Sequence, residues 1–237
     1  MRMKGLYFWG VILIGLLFIF PSLSQAAGKV NNSPKVFIQY FGKPTVCRQT
    51  TNDQVNIFGW GGWKMPSGLT DYWINYSTIP SYLSRELVAS VFDLSFSTLQ
   101  GAGGGILFRS AGSSTESSPS NNGQNTIMWK VLPASYVAMT YIWTDGNGRL
   151  AGADTIFNTR YRWSYTNYTG SNDCRGSKAT FDLRNIATHE FGHWMGLGDL
   201  YNSQARDLTM YGYASRGELK KDTLGLGDIT GARAVWP

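Results

Sequence analysis

Apolar and polar residues follow two distinct periods along this chain, and the places where the period changes divide it into elements. Arg2 and Lys4 precede an unbroken apolar run over 5–20, which Pro21 ends. Residues 27–55 are polar with little periodicity and read as an extended arm. Over 82–99 the apolar positions Leu83, Leu87, Val91 and Leu94 recur at helical spacing, with Val88, Phe92 and Leu99 alongside. That predicts a first helix, and the glycine-rich 101–105 stops it. Ahead of it, Tyr72 to Tyr76 reads as a strand; behind it, 105–109, 126–130 and 135–144 read as three more. The stretch SAGSSTESSPSNNGQN has nothing to bury and reads as a loop. Asp145-Gly146-Asn147-Gly148 is a tight-turn signature, so 135–144 and 149–157 are expected to form a hairpin. Asp182 is placed to cap a second helix from Leu183 to about Met195, with Gly196 and Gly198 ending it. Ile229, Ala232 and Val235 suggest a third helix over 228–235.

Composition narrows the setting. A chain of 237 residues with 43% hydrophobic residues is long enough for one domain with a real core, and it shows no internal repeat. Charged residues are only 15%, beside 28 Gly, 9 Trp and 13 Tyr, a balance more typical of exported proteins than of cytosolic helical ones. The N-terminal apolar run is shorter than the ~20 residues a spanning helix needs. Ser24-Gln25-Ala26 then sets small residues before a cleavage point, so 1–26 reads as a signal peptide, a retained anchor being the alternative. Cleavage removes Arg2 and Lys4, taking 21 Lys+Arg to 19 against 15 Asp+Glu, or +4. That mild charge, together with export, argues against a nucleic-acid partner. After cleavage the chain is expected to be a secreted monomer without stable membrane association. In an oxidising space Cys47 and Cys174 are expected to form one disulfide; the alternative is a Cys47 thiolate held on a metal.

The chemistry lies in the second helix. The chain has two histidines, His189 and His193, and four-residue spacing on a helix lets both meet one metal ion. Glu190 is turned about 100° from His189, out of the ligand set but near a water bound to the metal. Zinc brings the pKa of such a water toward ~7, and the carboxylate can take its proton during attack on an amide. A catalytic zinc normally has three protein ligands, and no third histidine exists. Asp199 fits by type and distance, because Gly196 lets the chain double back from the helix; a turn-capping role is the alternative, and Tyr201 is a weaker competitor.

H-E-F-G-H-W-M-G-L-G-D over 189–199 has the form H-E-x-x-H-x-x-G-x-x-H/D, and with D-L-T-M-Y-G-Y-A-S over 207–215 it resembles the metzincin metalloproteases, closest to the matrixin branch. N-T-I-M-W-K, A-D-T-I-F-N and G-D-I-T-G-A-R-A extend the similarity over roughly 55 to 237. The resemblance implies an α+β zincin catalytic domain over 56–237, with an upper part to about 196 and a smaller lower part over 197–237. Within it are implied a mixed, twisted five-stranded sheet and an active-site helix. It implies a zinc endopeptidase acting on protein or peptide substrates, with one catalytic Zn2+ on His189, His193 and Asp199, and Glu190 as general base. Met210 would be the Met-turn methionine, and Tyr211 and Tyr213 would shape the S1′ pocket or the oxyanion site. A peptide would pair with an edge strand, the one before the Asp145–Gly148 turn or close to it.

Several family features are missing. Matrixins usually carry histidine at the position of Asp199, and no histidine remains for a second, structural zinc. The latency motif P-R-C-G-x-P-D is absent, K-P-T-V-C-R-Q-T sharing only its cysteine. Asp145–Gly148 lacks the acidic run of a calcium loop, so calcium is not indicated. The rival reading from another class is a non-catalytic secreted binding module, a surface or matrix adhesin that keeps the fold; the intact Glu190 argues against it.

Overall fold

In the computed structural model, which describes residues 33–42, 51–66, 68–103, 105–167 and 176–235, the hairpin read from Asp145–Gly148 lies inside a mixed sheet. Its strands are β6 (Tyr136–Thr144) and β7 (Leu150–Asn158), and Gly148 N–H closes the turn on the Asp145 carbonyl at 3.2 Å. Asp145 Oδ1 also accepts from Asn147 and Arg149 N–H at 2.8 Å, which makes the turn an Asx-type device. Ala138, Thr140 and Ile142 of β6 face inward while Met139 and Tyr141 face the other side, the alternation expected of a strand.

The remaining strands are β1 (Lys35–Phe41), β2 (Gly59–Trp60), β3 (Leu69–Ile74), β4 (Leu107–Ser113), β5 (Asn125–Lys130), β8 (Trp163–Ser164), β9 (Phe181–Asp182), β10 (Leu197–Gly198) and β11 (Tyr213–Ala214). The main sheet has the order β11-β1-β6-β7-β5-β3-β4. Five of these strands, β6-β7-β5-β3-β4, form the expected sheet, with β6 antiparallel to β7 and the others parallel. The sheet is seven-stranded rather than five because β1 pairs antiparallel with β6 and β11 pairs parallel with β1.

Two expectations change with that. Part of the polar arm is strand β1. Its signal is hidden because apolar side chains leave both faces: Phe37 packs on the main core and Ile38 on the Met128–Leu132–Met139–Ile156 cluster, so no clean alternation survives. The strand before the Asp145–Gly148 turn is also no edge, since β1 lies along it. Elsewhere β4 runs on to Ser113, into the stretch read as loop, and the strand read at Tyr72 to Tyr76 begins at Leu69.

Helix α1 (Arg85–Gln100) begins at Arg85 because Ser84 caps it, its side chain accepting from Leu87 N–H at 3.1 Å. It lies beside α2 (Leu183–Trp194), and both share one core with the inner face of the sheet. Phe96 stacks on Phe191 at 4.1 Å between ring centres, and Phe92 stacks on Phe157 at 5.5 Å, joining α1 to α2 and to β7. Beyond α2 the chain forms β10, a turn around Met210, β11 and α3 (Leu226–Val235), which packs on β10 and β2. Among the described residues no helix is long and apolar enough to cross a membrane.

Candidate metal centre

Asp182 caps α2 as its sequence position suggests, accepting from Asn185 N–H at 3.0 Å. The helix then carries His189, Glu190 and His193 into complete burial. Gly196 ends it at φ +97°, where a Cβ would stand 2.5 Å from the Trp63 carbonyl oxygen. From there Leu197 and Gly198 pair with Trp60 and Gly59, and Asp199 returns beneath the histidines.

His189 Nδ1 lies 2.7 Å from the Thr209 carbonyl oxygen and His193 Nδ1 lies 2.9 Å from that of Leu197. A carbonyl only accepts, so each Nδ1 carries the proton and each Nε2 is left with its lone pair free. Asp199 Oδ1 is 3.3 Å from His189 Nε2 and 3.6 Å from His193 Nε2. Two ligands on a tetrahedral zinc at ~2.0–2.1 Å stand roughly 3.4 Å apart, so the spacing suits that ion. The three ligand atoms lie within 4.8 Å of one another and are buried with no hydrogen-bond partner among the described residues. Orphaned buried acceptors are costly unless something binds them, and a dication is what this donor set accepts. Burial holds the His189 imidazole down at about 4 and lowers that of His193 too, keeping both neutral as ligands must be. Burial pushes the Asp199 carboxyl up, but the two imidazoles and the Tyr201 hydroxyl outweigh it and leave it below the usual range.

Glu190 is held by a relay with one direction. Trp194 Nε1–H, which only donates, reaches Thr155 Oγ1 at 2.9 Å. The two threonine hydroxyls are 2.8 Å apart, and Thr140 Oγ1 donates to Glu190 Oε2 at 2.6 Å. Glu190 Oε1 has no protein partner. Burial pushes this carboxyl up to about 8, with the Thr140 hydrogen bond pulling the other way; a neighbouring dication favours the anion.

The floor is a fixed turn. Met210 packs its sulfur against Gly192, between the two histidines on α2. Asp228 of α3 accepts from the N–H groups of Thr209 at 2.8 Å, Met210 at 3.1 Å and Gly225 at 2.9 Å. The fully buried Lys221 donates from Nζ to the carbonyls of Tyr211 and Tyr213, and burial lowers its ammonium to about 8. Tyr201 donates to Asp199 Oδ2 at 3.1 Å. A Cβ on Gly212 would stand 2.5 Å from the Tyr201 ring and 3.1 Å from Asp199 Oδ1, so glycine makes room for both. The Tyr213 ring lies against Tyr201 at 5.6 Å, and Tyr211 lies against Tyr213 at 5.5 Å.

The structure thus brings His189, His193 and Asp199 together, with Glu190 and Met210 beside them, and places Tyr201 as a partner of Asp199. Thr140, Thr155, Trp194, Lys221 and Asp228 were not singled out from sequence. Of these, Thr155, Trp194 and Asp228 fall within the quoted segments A-D-T-I-F-N, H-E-F-G-H-W-M-G-L-G-D and G-D-I-T-G-A-R-A, while Thr140 and Lys221 lie in none of them. Cys47 and Cys174, and with them the disulfide, lie outside the described residues, as does the 1–26 segment read as a signal peptide. Asn75, within an N-x-S sequence, is buried and bonds Glu116 O at 2.7 Å and Ser77, so its amide is not presented for modification. No curated protein matches this sequence. A family model described as Matrixin does, over residues 88–236, a span containing both histidines, Glu190, Asp199, Met210 and the sheet strands β4, β5, β6, β7 and β11, with β1 and β3 outside it. The chain belongs to the matrixin family, whose members are zinc-dependent endopeptidases.

Proposed function

We propose that this chain is a secreted, catalytically competent endopeptidase in which His189, His193 and Asp199 hold one zinc ion and Glu190 moves the proton. The observation that carries this reading is the set of three buried ligand atoms within 4.8 Å, two from helix α2 and one from Asp199 beyond it, beside a Glu190 carboxylate that also keeps one oxygen unpartnered among the described residues. Zinc bound there supplies Lewis acidity toward a peptide carbonyl and lowers the pKa of water toward ~7. Glu190 Oε1 accepts the proton of the attacking water and returns it to the departing amine, while Thr140 holds Oε2 in place. The Nδ1–H bonds to Thr209 and Leu197 keep both imidazole lone pairs aimed at one point. Export is supported by the charged, apolar and small-residue order of 1–26, and matrixins are usually extracellular.

The test is metal content and cleavage of an unstructured protein by wild type, Glu190→Ala and Asp199→Ala. Glu190→Ala is expected to keep its zinc and to lose roughly 10²–10⁴ of the rate. Asp199→Ala is expected to lose zinc. Turnover that survives Glu190→Ala, or full zinc occupancy in Asp199→Ala, contradicts the respective assignment.

A further inference from the structure

Strand β1 runs between β6 and β11, beside the metal centre. On one side it pairs antiparallel with β6, from Lys35 opposite Ile142 to Gln39 opposite Ala138. On the other it pairs parallel with β11, Tyr40 opposite Tyr213 and Phe41 opposite Ala214. Its backbone is bonded to both walls: Tyr40 N–H to Gly212 O at 2.9 Å, Phe41 N–H to Ser135 O at 2.9 Å and Gly42 N–H to Ala214 O at 3.0 Å. One wall carries Thr140, the residue that bonds Glu190, and Phe37 of β1 stands directly opposite it. The other wall begins three residues after Met210.

The side chains follow the same track. Phe37 stacks on His193 with ring centres 4.3 Å apart and an interplanar angle of 27°. Gln39, two residues on and therefore on the same face, is fully buried, and neither amide atom is bonded among the described residues. An unpaired buried amide costs about 1–3 kcal/mol. A strand present only to complete the sheet gains nothing from such a residue, whereas one lying across a metal centre sends its amide toward groups that can bind it. Phe41, the third residue on this face, meets Phe181 at 5.6 Å and Tyr161 at 6.0 Å.

We propose that the seam between β6 and β11 is a peptide-docking surface whose resident occupant is the chain's own Lys35–Phe41 strand, which a substrate must displace. This rests on the endopeptidase reading above. The pairing is strand addition, in which main-chain hydrogen bonds hold the guest and alternate side chains enter pockets. A tethered occupant competes at an effective concentration on the order of mM, so it holds the site closed without a cysteine on the metal. Its Phe-x-Gln-x-Phe pattern, with Phe37 half-buried, Gln39 buried and Phe41 exposed, describes the kind of extended segment the seam accepts.

The test uses the full zinc-loaded chain carrying Glu190→Ala, so that a probe is bound but not cut. The probe is a fluorescein-labelled heptapeptide of sequence KVFIQYF, followed by anisotropy. Phe37→Asp and Tyr40→Pro, added separately, are each expected to bind it at least about ten-fold more tightly than the chain with β1 intact. Equal affinity with and without these changes, or no binding in either opened variant while near-ultraviolet circular dichroism shows native packing, overturns the proposal. Hydrogen exchange on the unaltered chain decides independently of any variant's folding. Amides over 38–42 are expected to exchange at least about ten-fold faster than those of β6 and β7, and a shared rate marks β1 as a permanent strand and overturns the proposal. With Glu190 restored, opened variants that bind the probe yet cut nothing refute the endopeptidase reading and leave the occupant standing. An unaltered chain that cuts as fast as the opened ones does the reverse.

Discussion

Thr140 contributes one hydroxyl, and because its single proton goes to Glu190, its contact with Thr155, which accepts from Trp194 Nε1, is met by the Thr155 hydroxyl as donor. Thr140→Val keeps the shape and removes the donor, leaving Glu190 with both carboxylate oxygens free of protein partners. A hydrogen bond to a charged group is worth about 1.5–3 kcal/mol, so kcat is expected to fall about ten-fold or more with little change in KM. Thr140→Ser is expected to recover most of that loss. Steady-state kinetics on the two variants checks both; equal kcat in Thr140→Val and wild type removes Thr140 from the mechanism. At this scale the clustering of His189, His193 and Asp199 was legible, because helical spacing and a scarcity of histidine leave few arrangements. Thr140 and Thr155 were not: they stand 50 and 39 residues from the Glu190 and Trp194 they bond, and a threonine in a strand carries no local mark of a buried acceptor opposite.

The turn through Met210 shows how an element is held by a residue outside it. Asp228 bonds the N–H of Thr209, and the carbonyl of Thr209 takes the Nδ1 proton of His189, so α3 reaches the centre through one residue. Asp228→Asn turns an amide toward N–H groups that need an acceptor. It is expected to cost about 2 kcal/mol of stability and to weaken zinc binding about ten-fold, through a loosened His189. Thermal unfolding of the zinc-free and zinc-bound protein measures the first, and competition with a chromophoric chelator measures the second; unchanged zinc affinity breaks the proposed link. Helices were legible at this level because α1 and α2 each show an apolar stripe and a side-chain cap, Ser84 or Asp182. Strand β1 was not, since its partners β6 and β11 lie about a hundred or more residues further along and it sends apolar side chains to both faces.

Over the whole molecule, stability should vary with pH through a carboxyl away from the metal. Asp154 of β7 accepts from Ser120 and Thr126 N–H at 2.8 and 3.0 Å, yet burial outweighs these bonds and raises it to about 7. Unfolded, it titrates near 3.8. Between those values the folded chain holds a proton that the unfolded chain has released. Its contribution is therefore complete below about pH 4 and is lost as pH rises through about 7. With zinc saturating, the urea midpoint of wild type is expected to fall between pH 5 and pH 7.5 relative to that of Asp154→Asn. Parallel midpoints at the two pH values would show that Asp154 carries no such proton. The fold class was legible as a whole because the hairpin, the helix order and the zinc motif agree, while the seven-strand width depended on contacts that no local pattern announces.

The place of β1 has a consequence for the protein once that strand has left. Strand β6, nine residues long and mostly buried, then presents an open row of N–H and C=O groups, and β11 loses its one partner in the sheet. Such an edge does not discriminate between a substrate and the same edge on another copy. The opened protein is therefore its own competitor: above some concentration, copies join edge to edge, and light scattering rises as activity per molecule falls. Unbinding of seven residues would set an upper limit on how concentrated the active form can usefully be.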